Sequence, residues 1–322
     1  MPIHNLGYRE WNGTLHSPWT RWMVVAEIGI RRAWQSAWLR RMMFFAWVPG
    51  VVMGFMIFLF EQAEKNDGAA RDVLGNLTSI LLLGHGMGSD ADQLLKHFLE
   101  SEATPGERRH VFWSSLFLNL FRRSQPLILI PMVGLIAPPL ISQDFRSRAF
   151  LLYFSRPLSR TQYILGKAMT VILYLSMITL FPAVCLFVVG ILLSPDISVL
   201  SATWDLFFRI VCVSAVIVVP CTALSLMLSS LTTESRYASF GWFAIWILGF
   251  LTYSIAVPFS SPGDDSMMQC VSLFHIFSDV TGWLLDPRLA VAGIENRLVT
   301  LVVLTAVSLA VVYRRVSAPM QI

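Results

Sequence analysis

The chain has 322 residues, of which 55% are hydrophobic and 14% are charged, and its formal net charge at pH 7 is +4. Soluble domains usually carry about 25% charged residues, so this composition excludes a protein whose whole surface faces water and indicates an integral membrane protein. The modest positive charge needs no nucleic acid to explain it, because basic residues in a membrane protein usually report the orientation of the chain.

The first predicted element is an amphipathic helix before the first apolar run. In the stretch 26–41, AEIGIRRAWQSAWLRR, alanine, isoleucine and tryptophan residues recur at helical spacing, and charged residues fall elsewhere. A basic helix with tryptophans suits the headgroup region of a membrane. We therefore expect residues 1–41 to form a cytoplasmic N-terminal region with a helix along the inner surface. An ordinary basic anchor for the first span explains the same residues, and the two interpretations are compatible.

Six apolar runs are long enough to serve as membrane-crossing helices, which need about 20 residues. They comprise residues 42–60, 124–141, 163–193, 207–231, 238–257 and 298–313. The predicted fold class is therefore an all-α membrane protein with six transmembrane helices, and residues 42–322 form one six-span domain.

The second apolar run differs from the others because it is rich in proline. It contains Pro126, Pro131, Pro138 and Pro139, and each proline removes a backbone hydrogen-bond donor. Neighbouring helices have to satisfy the carbonyl groups that are left without a donor. We therefore expect the second span to be kinked and packed inside the bundle.

Two long segments, 61–123 and 258–297, separate spans and are predicted to lie on the extracytoplasmic side of the membrane. The apolar stretches VLGNLTSILLLGHGMG and HVFWSSLFLNLF in the first of them are too short to cross a membrane. We expect such stretches to form short extracytoplasmic helices at the outer interface or a small cap over the membrane domain.

The charge distribution predicts the orientation of the chain. The short loops on the side of the N-terminus are basic, whereas the long segments on the other side carry most of the acidic residues. Short basic loops stay in the cytoplasm. We therefore expect a multi-pass protein of the cell's inner membrane with both termini in the cytoplasm.

The chain contains none of the common sequence motifs that carry enzyme chemistry. H-E-x-x-H and G-x-S-x-G are absent, and the pair Gly166-Lys167 is followed by alanine and lacks the first glycine of a phosphate-binding loop. The four cysteines form no C-x-x-C pair, and the six histidines are scattered. We therefore predict no catalytic, cofactor-binding or metal-binding residue in this chain.

The apolar stretches 168–193, 210–231, 238–257 and 298–313 contain no acidic, basic or histidine residue. Ion-coupled transporters usually place an ionisable group within the membrane, where its energetic cost implies a function. If the protein transports a substrate, we expect the energy to come from a partner.

The segment 144–167, DFRSRAFLLYFSRPLSRTQYILGK, places basic residues between two apolar spans. Phe145, Ala149 and Leu152 follow the spacing i, i+4 and i+7, which predicts a short amphipathic helix. A basic cytoplasmic loop that only follows the charge rule explains the same composition.

The amphipathic helix in this segment has to end before the third span begins. Pro157 forbids a continuous helix and pushes Arg156 toward an extended conformation. Ser159 or Thr161 could cap the helix that restarts after it.

The segment resembles the corresponding part of the permease subunits of ABC-2 type ABC transporters. That family's pattern combines an acidic and a basic residue, a leucine-rich turn ending in a Pro-x-Ser-Arg motif, and Leu-Gly-Lys. This chain has Asp144 and Arg146, LLYFSRPLSR at 151–160, and LGK at 165–167. The rest of the resemblance is architectural and covers most of the chain.

Three positions depart from the family pattern. Arg148 stands where the family favours glycine, Ala149 where it favours threonine, and Leu151 where an acidic residue is common. Arg148, like Arg146, remains accessible to water or to a partner in the predicted helix.

The resemblance implies a coupling segment at 144–162 that docks on a separate ABC ATP-binding subunit. It implies that Asp144 and Arg146 hold the coupling helix, with Arg148 on its accessible side. The turn behind the helix would consist of Arg156, Pro157, Ser159 and Arg160, and the return to the membrane of Gly166 and Lys167.

The function that the resemblance implies is the permease subunit of an ABC transporter, most naturally an exporter. ATP and Mg²⁺ would bind the partner subunit, so the chain itself would not be an enzyme. A second permease subunit, identical or paralogous, would complete the translocation path within membrane lipid. The alternatives are a secondary transporter or channel, and a membrane scaffold that an ATPase partner drives without transport.

Overall fold

The computed structural model describes residues 20–65, 69, 72–77, 104–149, 158–195, 199–256, 269–286 and 293–317. These residues form helices and turns, and no strand occurs among them. The helices are α1 Arg21–Trp34, α2 Ala37–Glu64, α3 Pro105–Asn119, α4 Gln125–Ile136, α5 Pro138–Arg146, α6 Arg160–Ile178, α7 Leu180–Leu193, α8 Val199–Leu231, α9 Ser235–Ala256, α10 Leu273–Leu285 and α11 Ile294–Ser317. A π-helical turn, Leu120–Ser124, joins α3 to α4.

All six predicted spans are confirmed as helices that are long and apolar enough to cross a membrane. They are Ala37–Glu64, Gly106–Arg146, Arg160–Leu193, Val199–Leu231, Ser235–Ile255 and Ile294–Ser317. The predicted all-α membrane fold therefore matches the part of the chain that the structure describes.

The second span begins earlier than its apolar run indicated, at Pro105 rather than at Ser124. Thr104 and Glu107 form a capping box, in which each side chain bonds the backbone N–H of the other residue at 3.0–3.4 Å. The stretch HVFWSSLFLNLF, expected at the outer interface, belongs to this same helical unit and buries Trp113 and Phe117. Arginines on both sides of the stretch gave it the appearance of a loop.

The expectation that the proline-rich second span packs inside is confirmed. Over its most apolar window, 56% of the second span is buried, compared with 22% for each of the fifth and sixth spans. Among the six spans only α8 is more buried, at 67%, and it packs against helices of the second, third, fifth and sixth spans and against α10. The bundle is therefore built around α8, with the second span against it.

The N-terminal amphipathic stretch forms two helices instead of one. α1 ends at Trp34, and Ser36 caps α2 by accepting a hydrogen bond from the N–H of Leu39 at 3.4 Å. Trp34 and Trp38 are both exposed and lie on different helices. The single helical face that we predicted over 26–41 is therefore wrong beyond Trp34.

The third span is interrupted between α6 and α7 at Thr179. Pro182 has no N–H to offer the carbonyl of Ile178, which weakens the helix at this point. The side-chain amide of Gln125 donates to the carbonyl of Thr179, next to the interruption, at 3.1 Å. A polar residue of the second span thereby contacts the third span beside its interruption.

Candidate functional site

The two ends of the segment 144–167 lie on α5 and α6. We call the end of the bundle that carries them the segment end, and the end that carries the start of α3 the opposite end. Arg156 and Pro157 lie outside the described residues. Arg160 is the first residue of α6, which continues through Gly166 and Lys167.

The helix that contains Phe145 ends sooner than its amphipathic spacing predicted. α5 ends at Arg146, and Arg148 adopts a left-handed backbone conformation with φ of 53°. The N–H of Ala149 then turns back to the carbonyl of Asp144, at 3.0 Å. Ala149 is therefore not on the same helix as Phe145, and the prediction of one helix through both residues is wrong.

Glycine would adopt this left-handed conformation without steric cost. A side chain in that region costs about 1–2 kcal/mol per residue because its Cβ atom approaches the following carbonyl oxygen, and glycine has no Cβ atom. Arg148 adopts the conformation nevertheless, with its side chain exposed.

A buried ion pair joins α5 to α6. The Nζ atom of Lys167 lies 2.7 Å from Oδ2 of Asp144, and the hydroxyl of Tyr163 donates to the same oxygen at 2.7 Å. All three residues are almost completely buried. Buried charges require such pairing, so Asp144 and Lys167 face each other and fix the two ends of the segment together.

Arg146 joins the segment to the turn between α8 and α9. Its Nη1 atom lies 3.1 Å from Oε2 of Glu234. Glu234 is held in place by Thr232, whose hydroxyl donates to the Glu234 carbonyl at 2.6 Å. The pair is partly exposed, so its contribution to stability is small, but it connects α5 to the fourth and fifth spans.

The restart of the helix at α6 has the cap that the sequence predicted. Ser159 accepts a hydrogen bond from the N–H of Gln162 at 3.3 Å, and the Gln162 side chain accepts one from the N–H of Ser159 at 3.1 Å. Thr161, the alternative cap, contacts the Ser159 hydroxyl instead, at 3.1 Å.

Gly166 lets α1 approach α6 closely. A Cβ atom at this position would lie 2.6 Å from Cβ of Val25 and 2.7 Å from the carbonyl oxygen of Trp22. One and two turns further along α6, Thr170 contacts the carbonyl of Ala26 at 3.3 Å, and Tyr174 donates to that of Ile30 at 2.8 Å. Gly166 was predicted to lie where the chain returns to the membrane. In the structure it packs against α1.

α1 also contacts α5, at the residue just before the segment. The guanidinium of Arg32 donates to the side-chain oxygen of Gln143 on α5. Together with the Gly166 contact, this bond places α1 against both α5 and α6.

Ser229 on α8 bonds the backbone in the first turns of α5. Its hydroxyl donates to the carbonyl of Pro138 at 2.6 Å and accepts from the N–H groups of Ile141 and Ser142 at 3.1 and 3.2 Å. The prolines predicted that neighbouring helices supply donors to the carbonyls left free, and for Gly134, the carbonyl that Pro138 cannot bond, this donor is the hydroxyl of Ser239 on α9, at 3.0 Å.

The opposite end is held by ion pairs that the sequence did not predict. Arg109 binds Glu61 with two hydrogen bonds, at 2.8 and 3.0 Å, and both residues are buried. Arg108 pairs with Glu64 on the same two helices. The signal in the sequence for these pairs was that Arg108 and Arg109 lie in a segment predicted to be extracytoplasmic, where the positive-inside rule does not favour arginine.

Further ion pairs at the opposite end connect α8, α10 and α11 to the second span. Asp205 contacts His110 at 3.0 Å and Arg209 at 2.9 Å. Asp279 on α10 lies 3.3 Å from Arg297 and 3.7 Å from Arg122. This end is thus held by several charge pairs distributed over separate helices.

Among the described residues, no group of three or more histidine, cysteine, aspartate or glutamate side chains could hold a metal ion. The features that stand out chemically in this part of the chain are therefore the contacts around α5 and the ion pairs at the opposite end.

Comparison with known proteins assigns the chain to a family. A family model described as ABC-2 family transporter protein matches residues 36–317, which is most of the chain. No curated protein matches it. The matched range includes all six spans and the segment between the second and third. The chain belongs to the ABC-2 family of transporter proteins.

Proposed function

We propose that this permease subunit of an ABC transporter works as an exporter, driven by a separate ATP-binding subunit that docks on the segment 144–162. The observation that supports coupling at this place is the set of contacts made by α5. This one short helix contacts the third span through Lys167, the turn between α8 and α9 through Glu234, and α1 through Arg32.

Through these contacts, a partner that docks on the segment can displace helices of the membrane domain. A partner that pushes on the segment displaces α5, whose helical hydrogen bonding is already interrupted at Pro138 and Pro139. The buried ion pair carries the displacement to α6, and Ser229 carries it to α8, which lies at the centre of the bundle. Two-state movement of packed helices is a usual means of transmission between sites.

The residues available for docking are those on the exposed side of the segment. Arg148 is exposed next to the end of α5, whereas Asp144 and Lys167 are occupied with each other. We infer that Asp144 and Lys167 position the segment and that Arg148 contacts the partner. ATP and Mg²⁺ would bind the partner, which would supply the energy that this chain does not generate.

Two permease subunits would form the translocation path between them, with both termini and the segment on the cytoplasmic side of the inner membrane. The support for this orientation is the basic character of the segment end, where Arg31, Arg40, Arg41, Arg314 and Arg315 are exposed.

Copurification tests the docking of the ATP-binding subunit. Tagged protein is purified from native membranes in mild detergent as wild type, as Arg148→Glu and as Arg315→Glu. The last variant is a matched control, because it makes the same charge change at an exposed residue outside the segment. We expect a P-loop ATPase to copurify with wild type and with Arg315→Glu, and to be lost from Arg148→Glu.

Equal recovery of the ATPase with all three proteins would contradict docking at the segment. Absence of any ATPase from the wild-type sample, under conditions that preserve a known complex, would favour a secondary transporter. ATP-driven flux in vesicles reconstituted with the copurified complex then distinguishes export from a scaffold without transport.

A further inference from the structure

The corner between α1 and α2 exposes a mixed basic and aromatic surface. It consists of Ala37, Arg40, Arg41, Phe44 and Phe45, which line one open groove along α2. We call these residues the corner surface. Phe44 and Phe45 are 75% and 63% exposed, so most of each ring lies outside the packed bundle.

The orientation of α2 is fixed by its buried side. Leu39, Met43 and Ala46 are all buried and recur at three- and four-residue spacing. Residues between them must point away from the bundle, since successive positions of a helix turn by about 100°. The corner surface is therefore a stable feature of the fold and does not depend on a side-chain rearrangement.

The guanidinium of Arg40 is held in one place. Its Nη1 atom donates to the carbonyl of Trp34 at 2.9 Å and contacts that of Gln35 at 3.5 Å. These carbonyls end α1, where a positive charge is favourable. A guanidinium has five N–H donors, so those on Nε and Nη2 remain for a ligand.

The other two arginines of this region have partners of their own. Arg31 pairs with Glu27 at 2.5 Å, and Arg32 donates to Gln143. Arg41 is exposed next to Arg40 on α2. The corner surface thus concentrates two positive charges at the edge of an aromatic face.

We propose that the corner surface binds an anionic phospholipid, with its phosphate on Arg40 and Arg41 and an acyl chain along Phe44 and Phe45. Guanidinium groups match phosphate oxygens in geometry and charge, and an apolar ring face one turn further into the span suits an acyl chain. Trp34 and Trp38 are exposed at the same corner and suit the headgroup depth. This inference goes beyond the proposed coupling and does not depend on it.

A bound lipid at this corner would act on the same helix that contacts the segment. α1 packs on α6 at Gly166 and reaches Gln143 on α5. A phospholipid that holds the α1–α2 corner would therefore stabilise the arrangement of α1, α5 and α6.

Native mass spectrometry of the full chain in detergent tests the proposal. The delipidated protein is titrated with phosphatidylglycerol and, separately, with phosphatidylethanolamine at one salt concentration. The variant Arg40→Gln/Arg41→Gln is compared with Arg314→Gln/Arg315→Gln, which removes another adjacent and exposed arginine pair near the end of a span.

We expect wild type to prefer phosphatidylglycerol and the corner variant to bind it about 30-fold more weakly, which corresponds to about 1 kcal/mol for each arginine. The Arg314/Arg315 variant should bind like wild type. Equal weakening of both variants would overturn the proposal in favour of general surface charge, and unchanged binding by the corner variant would overturn it outright.

Two additional variants keep the test decisive if the double substitution impairs folding. Arg41→Gln alone should weaken phosphatidylglycerol binding about fivefold. Phe44→Ser should weaken both lipids without changing the preference between them. If the corner variant instead retained its lipid and lost a copurifying protein, the corner would be a protein contact and the proposal would be wrong.

Discussion

The two ends of the second span are held in different ways. At the opposite end, α3 is a continuous helix of 15 residues with a capping box, and ion pairs to Glu61 and Glu64 join it to the first span. At the segment end, α5 has nine residues between an interruption at Pro138 and the left-handed Arg148.

The difference indicates which end is suited to move. A helix with uninterrupted hydrogen bonds and several charge pairs resists displacement, whereas a short helix bounded by two interruptions can tilt as a unit. The contacts of α5 reach α1, α6 and α8. We therefore expect the opposite end to serve as the fixed reference against which the segment end moves.

The largest expected effect is loss of one partner of a buried ion pair. Lys167→Met leaves the charge of Asp144 buried without a cation, and Arg109→Met does the same to Glu61 at the opposite end. Each substitution should lower the free energy of unfolding by about 3–5 kcal/mol, measured by thermal or denaturant unfolding in detergent.

Double variants separate stability from coupling in this comparison. Asp144→Leu/Lys167→Met and Glu61→Leu/Arg109→Met remove both charges of a pair and should recover most of the stability. If the segment end is the end that moves, only Asp144→Leu/Lys167→Met should reduce transport-coupled ATP hydrolysis per folded complex. Equal loss of activity in both would contradict the distinction between the ends.

Gly166→Ala should have the next largest effect. The new Cβ atom would lie 2.7 Å from the carbonyl oxygen of Trp22, a backbone atom that cannot rotate away. We expect about 3 kcal/mol of destabilisation, at the upper end for an overpacked site, seen as a lower unfolding temperature. Gly241→Ala is the control, because its Cβ atom would be 3.5 Å from Cδ2 of Leu228, an ordinary contact. Similar losses in both variants would argue against a close approach at Gly166.

Ser229→Ala tests the bonds between α8 and the first turns of α5. The substitution removes a donor to the carbonyl of Pro138 and an acceptor for the buried N–H groups of Ile141 and Ser142, so we expect a loss of about 2 kcal/mol. Ser230→Ala is matched in burial but removes only a bond to Met227 within α8, at 2.7 Å, and should cost about 0.5 kcal/mol. Denaturant titration of the two variants side by side measures the difference, and equal midpoints would refute the role of Ser229.

The smallest expected effect is a gain in stability. Arg148→Gly places glycine at a φ of 53°, where it avoids the steric cost of a side chain, and we expect the protein to be about 1 kcal/mol more stable. A small rise in unfolding temperature would show this. If Arg148 contacts the ATPase as proposed, the same variant should nevertheless copurify less of it.

Local sequence patterns predicted the parts of this fold that depend on residues close together in the sequence. Apolar runs of sufficient length indicated all six spans, because crossing hydrocarbon is a requirement on consecutive residues. The Ser159 cap was likewise readable, since a capping serine bonds a backbone N–H three residues away. Prolines indicated an interior second span for the same local reason.

Predictions failed where local signals conflicted with distant partners. The start of the second span was missed because Arg108 and Arg109 resembled loop residues, and their partners lie more than forty residues earlier on α2. The amphipathic spacing through Phe145 and Ala149 did not reveal the left-handed turn at Arg148. Spacing describes a helix if one forms, but it does not say where the helix ends.

The sequence alone thus determined the membrane class, the six spans and the position of the segment, because these follow from hydropathy, charge and a short motif. Only the tertiary structure decided that Asp144 pairs with Lys167, that Ser229 bonds the α5 backbone, and that Gly166 faces α1. Burial, charge pairing and close approach are relations between residues far apart in the chain, and they exist only once the helices have packed.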